Sequence, residues 1–170
     1  MAYLDRLINQ WAVKYNVAVL VVIHSAKGSQ NGNDHSAPPN PGNVYWDKYQ
    51  ENIDNTVEVA RFLADRYRNS AAFLGIELLN EPSNALNVDK LKQYYISAYN
   101  VIRKTGNDCV LVTSPILQEQ NVGTASNWEN FMPPPTYQNV WHDWHKYLIW
   151  GKHPCQCLSL KLLRFKTLKY

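Results

Sequence analysis

Apolar residues recur at helical spacing from the start of the chain. Tyr3, Leu4, Leu7, Ile8 and Trp11 share one face and predict a helix over residues 2–15. VAVLVVIH (17–24) replaces that period with an unbroken β-branched run, which predicts a strand buried on both faces. The helical period returns at Ile53, Val57, Ala60, Leu63, Ala64 and Tyr67, within a predicted helix over 47–70. AFLGIELLN (72–80) then reads as a strand, VDKLKQYYISAYNVIRKT (88–105) as a helix and CVLVTS (109–114) as a strand. After the PPP at 133–135, VWHDWHKYLIW (140–150) predicts one more strand. Helices and strands in alternation are the pattern of a parallel α/β protein. No linker interrupts it before residue 151, so residues 1–151 are expected to form one unit and 152–170 a separate tail.

In parallel α/β folds, ligands meet the carboxyl ends of the strands. Those ends carry His24, Asn80-Glu81, Thr113-Ser114 and the region of His145 and Tyr147. Glu81 follows an apolar run and precedes Pro82. A carboxyl half-buried there is suited to donate a proton, because burial raises its pKa; the plainer reading is a strand-end carboxylate that caps the next helix. Asn80 offers a donor and an acceptor to a neighbouring hydroxyl. Asp143, His145 and Tyr147 alternate onto one face of their predicted strand, with His142, Trp144 and Lys146 on the other. His142 and His145 have metal-ligand spacing only on a helix, so no metal is expected. His24 is either a core histidine or, given the polar segment that follows it, part of a site. That segment, SAKGSQNGNDHSAPPNPGN (25–43), is too long for a plain connection and reads as the rim of a substrate site or as a disordered loop. Its GSQNG is neither a G-x-S-x-G elbow nor a phosphate-binding loop, which argues against a serine nucleophile and a phosphate cradle.

Composition adds less. Eleven Tyr and six Trp suit stacking on sugar rings, but they also pack cores. The net charge of +3 is misleading. Residues 1–143 hold 11 Lys and Arg against 14 Asp and Glu, whereas residues 144–170 hold six Lys and Arg and no acid. The positive balance is therefore confined to the end of the chain, and no nucleic-acid partner is expected. Cys155 and Cys157 are too close for an ordinary disulfide loop, and with Cys109 they leave the redox compartment open. Met1 leads directly into AYLDRLINQW without the apolar core of an export signal, and no apolar run approaches the ~18 residues of a membrane span. No membrane partner is expected.

GIELLNEP (75–82), IHSAKGSQNG (23–32) and DWHKY (143–147) occur in that order and together resemble glycoside hydrolase family 5, in particular its exo-β-1,3-glucanases. The resemblance runs from about Tyr3 to Gly151. It implies a partial (β/α)8 barrel, roughly the third to sixth strands with their helices, and retaining hydrolysis of β-1,3-glucan without a cofactor. It implies Glu81 as the acid/base and Asn80 as the neighbour contacting the sugar 2-hydroxyl. His24, His145 and Tyr147 would line the subsite of the cleaved sugar, and Trp150 would clamp the ring at the entrance. A secreted, extracellular protein is implied too, although this start shows no signal. The departures are specific. Asn33 stands where the family often has an aromatic clamp, the first two strands with a family arginine are lacking, and no Asp or Glu follows Asp143 to supply the nucleophile. Asp34, Glu119 and Asp143 are the nearest substitutes by motif or strand position. HPCQCLSLKLLRFKTLKY (153–170) matches nothing in the family, as a truncated or frame-shifted reading frame would. The expectation is a glycosidase incomplete in this chain, with a catalytically inactive glucan-binding fragment as the alternative.

Overall fold

A computed structural model describes residues 1–120 and 126–145. Four strands, β1 (Val19–Val22), β2 (Phe73–Glu77), β3 (Val110–Thr113) and β4 (Val140–His142), form one sheet in chain order, every neighbouring pair parallel. Parallel neighbours need long crossovers. Helices α1 (Ala2–Arg6), α2 (Gln50–Tyr67), α3 (Val88–Lys104) and α4 (Ser126–Glu129) lie between or before them. α1 continues into a π-helical segment, Leu7–Ala12, so the predicted first helix is present with a widened second half.

α2 and α3 pack against each other and cover the sheet. The α2 face that goes inward includes Ile53, Ala60, Leu63, Ala64 and Tyr67, five of the six positions the helical period selects. On α3 the buried set is Leu91, Tyr94, Tyr95, Ala98 and Ile102, and Asn87 caps the helix by accepting the Lys90 N–H at 3.0 Å. Two α3 tyrosines reach past the core to the strand ends. Tyr94 donates to the Leu78 carbonyl at 2.6 Å and Tyr95 to the Ser114 carbonyl at 2.7 Å. These buried bonds fix where the chain leaves β2 and β3. β2 and β3 approach so closely that a Cβ on Gly75 would lie 1.9 Å from the Val110 carbonyl oxygen.

Two expectations about strands are corrected. β1 is not buried on both faces: Val19, Leu20 and Val21 are half-buried and Val22 is exposed. It lies at one edge of the sheet, with β2 on one side only. The strand predicted over 140–150 ends, within the described residues, at His142, and Asp143, Trp144 and His145 continue it as irregular chain. The likeness in facing between Asp143 and His145 survives, because both side chains reach one another. Among the described residues no helix is long and apolar enough to cross a membrane.

Candidate active site

Beyond β2 the backbone stays extended and hydrogen-bonded. Ile23 donates to the Glu77 carbonyl, Leu78 to the Val112 carbonyl and Asn80 to the Ile23 carbonyl. The sheet therefore delivers Asn80 and Glu81 to its carboxyl end, where they are 5% and 8% exposed. Glu81 adopts a positive φ of 43°. Such a conformation costs an L-residue about 1–2 kcal/mol and persists where surrounding structure enforces it. The enforcing contacts come from the polar loop. Asn31 Nδ2 donates to the Glu81 carbonyl at 3.1 Å, and Ser83 N–H donates to the Gln30 carbonyl at 3.0 Å.

Gln30 is fully buried and braces the two strand ends together. Its Nε2 donates to the carbonyls of His24 at 3.0 Å and Asn80 at 2.9 Å, while its Oε1 accepts the Ala26 N–H. GSQNG is thus a scaffold for the acid position. Ser29 is equally buried and accepts the Gly32 N–H through its hydroxyl, so it is structural and not a nucleophile.

Two imidazoles meet the Glu81 carboxyl, and two further carboxylates meet one of those rings. Glu81 Oε1 is 2.9 Å from His145 Nδ1, and Oε2 is 3.6 Å from His35 Nε2. His145 Nε2, on the far side of the ring, is 3.2 Å from Asp143 Oδ2 and 3.9 Å from Glu77 Oε1. Its backbone N–H donates to Gln120 Oε1 at 2.6 Å. Burial works to lower the His145 pKa, but the bond to Glu81 and the charges of Asp143, Glu77 and Glu81 outweigh it and leave the imidazole raised. Burial, with the Asp143 charge beside it, pushes the Glu77 carboxyl up to about 7.

His24, His35, Asn80, Glu81 and His145 line one open cleft of about 320 Å³, within the range of about 300–1,000 Å³ typical of small-ligand sites. His24 is exposed, not a core histidine, and stands edge-on to His35 with ring centroids 5.3 Å apart. Four of the residues singled out from sequence, His24, Asn80, Glu81 and His145, are therefore brought together. Tyr147 and Trp150 lie outside the described residues. Thr113 and Ser114 are buried and do not line this cleft; Thr113 Oγ1 is bonded to His142 Nδ1 at 2.6 Å. Burial lowers the His142 pKa, and its Nε2 faces the Phe131 carbonyl, so it serves the core.

Of the substitute carboxylates, Asp34 is exposed at the start of a short 3-10 turn, and Glu119 accepts from Trp128 Nε1 and Asn127 Nδ2. Only Asp143 approaches the site. Sequence reasoning missed Glu77, His35 and Gln120. A signal existed for Glu77, because a carboxylate inside the apolar run GIELL had to be buried. His35 sits in a loop without period, and nothing in the sequence marked it.

The family profile for cellulase (glycosyl hydrolase family 5) matches residues 1–159. A glucan 1,3-beta-glucosidase of Pichia angusta is 33% identical over 154 residues, which is 88% of this chain and 34% of that protein. One from Schwanniomyces occidentalis is 32% identical, again over 88% of this chain and 34% of its own length. The chain thus spans about a third of the length of these relatives. Among solved structures, rutinosidase from Aspergillus niger superposes with a TM-score of 0.69 at 18% identity, over 84% of this chain and 42% of that one. Endoglucanase Cel5A of Thermotoga maritima gives 0.62 at 21% identity, over 87% and 41%. These structural likenesses carry the fold: four parallel strands with their helices, part of a (β/α)8 barrel. With that profile spanning most of its length, the chain belongs to glycosyl hydrolase family 5.

Proposed function

We propose that this chain carries the acid/base half of a retaining glycosidase site that acts on β-1,3-glucan, with Glu81 as the proton donor. The observation that supports it is the position of Glu81. It is buried at the carboxyl end of the parallel sheet and opens onto the same cleft as Asn80, His24 and His145. A carboxyl so placed protonates the leaving glycosidic oxygen and, as a carboxylate, then activates water. Asn80 and His24 are placed to hold sugar hydroxyls, and His145 orients Glu81 through its Nδ1. Tyr147 and Trp150 complete the sugar contacts in this reading.

Retention also needs a second carboxyl about 5–5.5 Å from the first, placed to attack the anomeric carbon. Glu77 and Asp143 meet the opposite edge of His145, and no Asp or Glu follows Asp143. That distribution favours a second reading for the chain by itself, glucan binding without turnover. The substrate is an extracellular glucan in either case, and neither nucleic acid nor membrane enters.

Titration calorimetry with laminaritriose and cellotriose tests the proposal. Saturable binding of laminaritriose, weakened at least tenfold in His145→Ala and tighter than cellotriose, is the expected result. Equal or undetectable binding of both sugars would remove the β-1,3-glucan assignment.

A further inference from the structure

Glu77 is the carboxylate that the sugar chemistry leaves unused. It is 4% exposed, and its Oε1 is buried without a hydrogen-bond partner. A buried carboxylate oxygen left unpaired is costly, and native structures keep few of them. This one points at the Nε2 edge of His145, 3.9 Å away. Asp143 Oδ2 comes to the same nitrogen from the loop after β4, at 3.2 Å. The three atoms lie within 4.8 Å of one another.

We propose that Glu77 Oε1, Asp143 Oδ2 and His145 Nε2 form a binding site for one divalent transition-metal cation of the zinc type. Four-coordinate zinc takes imidazole nitrogen and carboxylate oxygen at about 2.0–2.2 Å, so its ligand atoms stand about 3.3 Å apart. The Nε2–Oδ2 edge already has that length at 3.2 Å, the Nε2–Oε1 edge of 3.9 Å needs to shorten by about half an ångström, and the two carboxylate oxygens, within 4.8 Å of each other, have to close toward the same spacing. Three ligands leave a fourth position for water or another small donor.

The other face of the imidazole supports the assignment independently. His145 Nδ1 is 2.9 Å from Glu81 Oε1. Metal-bound histidines regularly donate their second ring N–H to a carboxylate, which fixes the tautomer and raises the basicity of the ligating nitrogen. With Nδ1–H on Glu81, the Nε2 lone pair faces Glu77 and Asp143. Two carboxylates in the ligand shell and a third behind the ring give the site negative charge to offset a dication. Imidazole in the set favours zinc over magnesium, which prefers oxygen ligands and retained water. This inference does not rest on the glucan reading, since it uses only the three ligand atoms and the Nδ1 contact.

The test uses the full 170-residue chain carrying Cys155→Ser and Cys157→Ser, so that the thiols of the tail contribute nothing. Zn²⁺ is titrated calorimetrically after removal of metal by chelator, with Mg²⁺ as comparison. The expected result is one Zn²⁺ per chain, at least tenfold tighter than Mg²⁺, and a loss of at least tenfold in both Asp143→Asn and Glu77→Gln. His35→Ala, which removes the other imidazole beside Glu81, is expected to leave Zn²⁺ affinity within twofold. X-ray absorption at the zinc edge of the same unsubstituted-ligand protein reads the shell directly and does not depend on any variant folding. One imidazole with oxygen otherwise supports the site. Absence of saturable Zn²⁺ binding, affinity unchanged in both carboxylate variants, or a shell of several imidazoles would overturn it.

Discussion

Glu81 is held through its backbone as much as through its carboxyl. Its positive φ follows from a chain that must turn out of the sheet directly before Pro82, and Asn31 and Gln30 supply the bonds that keep it there. Gln30 contributes most, because from a fully buried position its amide donates to two carbonyls on different strand ends. Gln30→Ala is expected to destabilise the protein by about 2–3 kcal/mol in urea unfolding, the scale for leaving buried acceptors unpaired. Gln30→Glu should be worse, since it sets a carboxylate oxygen against the same carbonyls. Indifference to both substitutions would show that the loop is not a brace. The sequence marked the acid and not its support: NEP is a local pattern, whereas the bond from Gln30 Nε2 to the Asn80 carbonyl spans 50 positions. Glu77 escaped for a different reason. A carboxylate inside an apolar run has to be buried, but the run does not say what its oxygens face.

Elements were legible wherever one face is buried and one is not. The predicted face of α2 is the observed one at five of its six positions, because a 3.6-residue period separates inside from outside. β1 departs from its expected burial because a continuous apolar run reports hydrophobicity without saying how many neighbours a strand has. Close approach of two strands was equally silent, and it makes Gly75 sensitive. Gly75→Ala places a methyl against the Val110 carbonyl and is expected to cost about 3 kcal/mol, read as a lowered melting temperature. The docking of α1 on α2 is electrostatic and exposed. Asp5 accepts from Arg66 Nε and Nη2 at 2.7 and 2.6 Å and from the Tyr67 hydroxyl at 2.8 Å. Those bonds, Arg66 first, lower the Asp5 pKa from 3.8 to about 2. A depressed carboxylate stabilises the folded state above its unfolded pKa and loses that contribution as pH falls through the folded one. The melting-temperature difference between the native protein and Asp5→Asn should therefore be full above pH 4 and shrink toward pH 2. A difference that grew on acidification would refute this assignment.

At the scale of the whole molecule, the alternation of helices and strands was enough to place the chain in the parallel α/β class, and the order of strand-end residues was enough to assemble most of the cleft. What pattern alone does not carry is the closure of the sheet. β1 and β4 form its two edges, and Trp141, Val22 and Trp11 remain exposed on a chain that spans about a third of its relatives' length. By the same account, the 170-residue chain alone should release glucose from laminaritriose no faster than its Glu81→Gln variant, for want of a second carboxyl in the attacking position. The central claim, that Glu81 is the proton donor, is tested most directly by grafting residues 1–145 in place of the matching segment of the Pichia angusta glucan 1,3-beta-glucosidase. The graft measures kcat on laminarin with and without Glu81→Gln. A folded graft that hydrolyses laminarin and loses about 10²–10⁴-fold in kcat on that substitution is the predicted result. A folded, active graft whose kcat is unchanged by Glu81→Gln would contradict it.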